Sequence, residues 1–217
     1  MNMHKSWTCW ARRALAAAVV TTVAGCASNP SAVLLMLPPA VAAPSTVAAS
    51  STAVASPATN RSASRVLSVS RIEVPEYLTT RRVRYRADAS AVAEWPDTFW
   101  GERIEVGMSR EFMAALHAQL PAWGLCEASC SEQSPAASLQ VQLSRVDYMR
   151  SERRLRANAR IAVWSVERPA RLLRSEDRAY DIAGDDDTAR SQARAMTELL
   201  RRVASDAGAS VSSAQVQ

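Results

Sequence analysis

Lysine is almost missing from this chain of 217 residues: Lys5 is the only one, so nearly every cation is an arginine. Histidine is as scarce, with His4 and His117 alone. A Ser-His-Asp or Cys-His site would have to rest on His117, and no G-x-S-x-G elbow supplies it with a nucleophile. Neither a P-loop nor a dinucleotide fingerprint is present, which excludes nucleotide hydrolysis and hydride transfer by the familiar routes. The acidic run "GDDDT", 184 to 188, lacks the alternating ligands, central glycine and distal glutamate of a calcium loop. Its carboxylates already have a reason to precede a helix, where the macrodipole favours negative charge. Long apolar runs are missing too. Ala14 to Val23 is too short to span a bilayer as a mature helix, and Val33 to Leu37 is cut off by Pro38 and Pro39.

What the sequence does have begins at its N-terminus. A basic opening with Lys5, Arg12 and Arg13 leads into the apolar stretch and then into small residues, the layout of a secretory signal. Val23, Ala24, Gly25 and Cys26 resemble the lipobox of bacterial lipoproteins. The expectation is that residues 1–25 are removed and that the Cys26 thiol, the best alkylation nucleophile among the side chains, carries the lipid. Several acyl chains make such an attachment effectively permanent. Positions 27 and 28 are Ala and Ser, not the acidic residue that holds many such lipoproteins at the inner membrane, which favours the outer one.

Removing the signal changes the meaning of charge and cysteine. The whole chain has 26 basic and 21 acidic residues; the mature part keeps 23 against 21, so the basic excess is largely a targeting feature and nucleic acid is not an expected partner. Cys9 leaves and Cys26 is acylated, so Cys126 and Cys130 remain as a pair in an oxidising compartment. They suit a small disulfide loop better than a metal site, because His117 is the only mature histidine. No metal and no cofactor is expected.

From Pro38 to Arg65 the chain is built almost wholly from Ala, Ser, Thr, Val and Pro, with no charge before Arg61. Such a stretch buries too little to offset its ordering entropy, so 26–65 reads as an anchored N-terminus and flexible tether, with compositional drift as the plainer reading. As a coil the low-complexity part spans roughly 30 Å, and stretched up to about 85 Å. Periodic sequence follows. "VLSVSRIEV" reads as a strand with a phase slip between Val69 and Ile72, and "RRVRYR" as a second, edge-like strand. Ile104, Met108, Phe112, Leu116 and Leu120 mark an amphipathic helix stopped by Pro121. "SLQVQLSRVDY" and "RLRANARIAVWSV" alternate cleanly and pair as a hairpin, and a third strand lies near Leu172 to Ile182. A capped helix starts at Asp187 or Thr188, carries Ala193, Met196, Leu200 and Val203 on one stripe, and ends before Gly208. The expected fold is α+β: a two-layer sandwich over 66–207, ββα-βββ-α, with a mostly antiparallel sheet, two long helices on one face, and a disordered tail at 208–217.

The lipobox cysteine, "VPEYL" at Val74 to Leu78, Trp100 followed by Glu102 and Ile104, then a hairpin and a C-terminal helix: this succession resembles the ABC-type transport auxiliary lipoproteins over roughly 66–205. The resemblance implies a non-enzymatic component of an envelope lipid-transport system. Its expected partners are a mammalian-cell-entry (MCE) domain protein and an ABC permease and ATPase, with phospholipid as a further contact and a homo-oligomer left open. Two departures stand out: "VLLMLPP" replaces a strand the family usually has soon after the cysteine, and the tether and Cys126/Cys130 loop look like insertions. From a different class, a structural or regulatory envelope lipoprotein that activates a cell-wall enzyme is the alternative, and a lipid-anchored hydrolase stands third.

Candidate contact residues are few. Arg154, Arg156 and Arg160 share one face of a strand and suit lipid phosphates or an acidic partner, although a solvated sheet face is the commoner meaning of such a run. Trp95, Trp100 and Trp164 are candidate interface anchors, with core packing as the default for each.

Overall fold

The computed structural model describes residues 31–41, 65–127, 130 and 134–214. Its longest ladders form a three-stranded antiparallel meander: β6 (Ala137–Met149), β7 (Arg154–Ser165) and β8 (Leu172–Ala183). Alternation explains why. Leu139, Val141 and Leu143 are buried, while Gln140, Gln142 and Ser144 are exposed. At Ser144 the β6–β7 register slips by one residue, a bulge that hands the inward positions over to Val146 and Tyr148. A short 3-10 turn, Arg150–Glu152, ends at Arg153 in the left-handed region (φ 50°) and reverses the chain into β7.

Five shorter strands complete an eight-stranded sheet: β1 (Val33–Leu35), β2 (Arg65–Val69), β3 (Arg82–Arg86), β4 (Val92–Trp100) and β5 (Trp123–Glu127). The strand order is β1-β4-β3-β6-β2-β5, with β7 and then β8 added on the other side of β6. Antiparallel pairs hold most of the paired residues, whereas β1–β4, β2–β5, β2–β6 and β3–β6 run parallel. The helices α1 (Ile104–Gln119) and α2 (Ala189–Ser213) pack on each other and on this sheet, as the α+β two-layer reading requires. The five apolar positions at four-residue spacing in and just after α1 are all buried, and Thr188 caps α2 by accepting a hydrogen bond from the Ser191 N–H at 3.1 Å.

Four details depart from the sequence expectation. Residues 31–41 are not part of a tether: β1 pairs in register with Thr98, Phe99 and Trp100 of β4, and Leu35, Leu37 and Ala40 are buried in the core. The low-complexity run 42–64, outside the described residues, therefore connects β1 to β2 in chain order and does not lead up to the first strand. "RRVRYR" is no edge, since β3 lies between β4 and β6. The strands β4 and β5 were not expected, because Pro96 interrupts the first and the second is only five residues long. Asp97, at φ 45°, takes up the Pro96 irregularity as a local bulge, so that Trp95, Thr98 and Trp100 all face the core. Finally, α2 runs on through Gly208 to Ser213 instead of leaving a loose tail. Gly208 serves the helix crossing: a Cβ there would stand 3.0 Å from Gln119 Cβ of α1. The expected slip after Val69 takes the form of a ladder break, with Glu73 pairing again, alone, to Gln142.

Candidate functional site

The three arginines on β7 face a matching row of acids. Arg154 Nε reaches Asp181 at 2.7 Å, Arg156 reaches Glu152 at 2.6 Å and Arg160 Nε reaches Asp177 at 2.9 Å. The hydrogen bond from Arg160 holds the Asp177 carboxyl below its ordinary range. This face is an alternating-charge surface, so it corrects the expectation of a positive patch for phosphates. Trp95 and Trp100 are corrected as well: at 6% and 4% exposure both belong to the core. Trp95 Nε1–H donates to Gln192 Oε1 at 2.7 Å, and Gln192 Nε2–H donates to the Arg84 carbonyl at 2.7 Å, which fastens α2 to β3 and β4. Trp164 is half-buried, and its indole N–H is enclosed without an acceptor among the described residues.

Asp185, Asp186 and Asp187 are taken up by arginines, Asp187 by Arg150 and the other two by Arg194. Among the described residues no group of His, Cys, Asp and Glu is arranged to hold a metal. His117 is exposed on the last turn of α1. Cys126 and Cys130 have Cα atoms 5.6 Å apart, a separation a disulfide spans.

Sequence reasoning missed two polar clusters that the fold assembles from distant segments. In the first, Asp147 on β6 is 3% exposed and accepts hydrogen bonds from Arg145 Nε–H (2.6 Å), Tyr77 O–H (2.9 Å) and Arg86 (3.1 Å). Burial alone would raise the Asp147 pKa, but those donors outweigh it and hold the carboxyl below its usual range. Tyr77 is pushed up to about 12, by burial first and then by the Asp147 charge. Tyr77 lies in the "VPEYL" segment, and its hydroxyl also accepts the Val146 N–H at 3.0 Å. This cluster pins the turn before β3 onto β6.

The second cluster is open to solvent. Arg150 stacks over the Trp95 ring at 4.4 Å and the Tyr85 ring at 5.1 Å, and donates to the Tyr85 hydroxyl at 3.1 Å and to Asp187 at 2.8 and 3.1 Å. It floors a cleft of about 630 Å³ lined by Tyr85, Ala87, Arg150, Ser151, Arg153 and Asp187. Beyond the far end of the meander a groove of about 660 Å³ runs between Val166, Leu172 and the end of α2 at Ser213 and Ala214. Among the described residues, neither cleft has a hydroxyl or thiol hydrogen-bonded to a histidine or carboxylate. No described helix is long and apolar enough to cross a membrane.

A family model described as "ABC-type transport auxiliary lipoprotein component" matches residues 46–207. The chain belongs to that family. It is thus an auxiliary lipoprotein of ABC-type transport, a role that ties it to the cell envelope. The match takes in every strand but β1. No curated protein matches the chain. Two solved structures share the fold of this transport auxiliary lipoprotein. The crystal structure of an uncharacterized protein is similar at TM-score 0.59 and 14% identity, over 68% of this chain and 92% of the other. Protein XCC0632 from Xanthomonas campestris, of the family DUF330, is similar at TM-score 0.54 and 11% identity, over 66% and 81%.

Proposed function

We propose that this chain is a periplasm-facing lipoprotein of the bacterial outer membrane, held by acylated Cys26, that serves an ABC/MCE-type system moving lipid between membranes. The observation that carries this reading is the family match across 46–207. Among the described residues two further facts support a binding role over a catalytic one: the acidic run and the β7 arginines neutralise neighbouring charges, and neither of the two clefts named above joins a nucleophile to a base. In this reading the MCE-domain protein and the permease/ATPase complex are the partners, phospholipid is the cargo, and the domain contributes surface rather than chemistry. Cys126 and Cys130 form a small disulfide at the end of β5.

Crosslinking and affinity capture from intact envelopes test the reading. Recovery of MCE and ABC subunits with the chain is the expected result. Cell-wall synthases without transporter subunits would replace it with the regulatory alternative. Intact mass of the mature chain reads Cys26 acylation separately, and a non-reducing peptide map reads the Cys126–Cys130 bridge.

A further inference from the structure

Eight large apolar side chains are exposed among the described residues, and four of them, Val33, Leu34, Met36 and Val41, fall within nine consecutive positions on and after β1. Alternation sorts this segment. Leu35 and Leu37 turn into the core, and Leu34 (59% exposed) and Met36 (50% exposed) turn out. Leu34 stands opposite Phe99 in the β1–β4 ladder, and Phe99 stands opposite Arg82 in the β3–β4 ladder. The Arg82 guanidinium lies 5.0 Å from the centre of the Phe99 ring and pairs with Glu94 at 3.4 Å. The Gly101 N–H continues the ladder to the Leu35 carbonyl at 2.7 Å, and Met36 lies across Gly101, where a Cβ would come within 2.9 Å of its Sδ. Arg81 is exposed beside Arg82. The result is an outward row of aliphatic, aromatic and cationic side chains that crosses from the edge strand β1 over β4 to β3.

We propose that this row, Leu34, Met36 and Phe99 flanked by Arg81 and Arg82, docks against the phospholipid surface of the membrane that carries the anchor. The inference rests on acylation of Cys26. Only six residues, 27–32, separate that cysteine from Val33, so even a fully extended chain keeps β1 within about 25 Å of the acylated sulfur's residue. A face held that close meets the bilayer at high effective concentration, so a small apolar area suffices where it would not recruit a free protein. The composition suits the interface, where aliphatic and aromatic side chains enter the headgroup boundary, the Arg82 stem lies along the apolar surface with its charge shared with Glu94, and exposed Arg81 carries the charge that meets phosphates. The domain then sits against the membrane, because the low-complexity run 42–64 follows β1 in the chain and does not stand between the anchor and β1.

The test uses the full chain in intact envelopes, with p-benzoylphenylalanine replacing Leu34, Met36 or, as a control on the exposed edge of β8, Arg178. Both side chains near β1 are solvent-exposed, so neither replacement disturbs the core. After irradiation the chains are purified and weighed by mass spectrometry. Docking gives phospholipid adducts at positions 34 and 36 several-fold above position 178. Equal yields at all three positions, or adducts at 34 and 36 that are protein instead of phospholipid, overturn it. The same spectra report the acyl mass at the N-terminal cysteine. An acylated chain without lipid adducts defeats the docking alone, and an unacylated chain defeats both the docking and the anchor it depends on.

Discussion

The meander β6–β7–β8 and the β1–β4–β3 portion belong to one sheet but are assembled in opposite ways. In the meander each strand pairs with the next through a short reversal, so Leu139 meets Val163 and Leu155 meets Ile182 at modest chain separation. In the other portion β1 pairs parallel with a strand some sixty residues on, Val33 with Thr98, across intervening chain that includes the low-complexity run. Local pairing costs little loop-closure entropy, and distant pairing must be repaid by burial of side chains such as Leu35 and Leu37. The difference ranks the meander as the locally closed part of the fold and β1 as the part held by distant pairing, and four changes test that ranking.

The largest loss is expected inside the meander. Leu155→Ala, at a fully buried position, should cost about 4 kcal/mol in urea denaturation, through lost transfer energy and a cavity. Next comes the seam between the two portions, where Asp147 of β6 holds Arg86 of β3 and Tyr77. Asp147→Asn should cost about 2 kcal/mol at pH 7, because it removes the buried charge that the partly buried Tyr77 and Arg86 donate to. The sign with pH follows from the depressed native pKa. The carboxylate's contribution is complete above the unfolded value of about 3.9 and is lost as pH falls through the lower native one. The wild-type advantage over Asp147→Asn should therefore shrink below about pH 4, and an advantage that grows on acidification would refute the assignment.

A smaller effect is expected at β1. Leu35→Ala should cost about 2 kcal/mol, since the site lies at the rim of the core and can relax. If this loss equals or exceeds that of Leu155→Ala, the ranking of the two portions fails. The smallest effect belongs to the outer face of the meander. Arg160→Ser, which breaks an exposed pair with Asp177, should leave the denaturation midpoint unchanged within error, and a clear shift would show that the charged ladder does more than solvate the sheet.

Much of the fold was legible in the residues because the signal was local. Alternation around Val141 and Ile161 gave the hairpin, four-residue spacing from Ile104 to Leu120 gave α1, and Asp187 or Thr188 marked the start of α2, where the structure selects Thr188. Pro96 hid β4, since a proline inside a run argues against a strand until a bulge such as that at Asp97 accommodates it. Gly208 misled for a similar reason: a glycine near a helix end reads as a cap, but here it answers a side chain on the other helix. The candidate site was less legible. A run of arginines and a set of tryptophans carry no mark of which are paired with acids across a ladder and which are buried. Nothing local joins Tyr77, Arg86 and Asp147.

By itself, the sequence determined the α+β class, the two helices and the central hairpin, because each depends on residues within a few positions of one another. Only the tertiary structure decided that Val33–Leu35 belongs to the sheet, that the β7 arginines are neutralised, and that Trp95 and Trp100 lie in the core. Those outcomes depend on which distant segments meet, and that is settled by the packing of the whole domain.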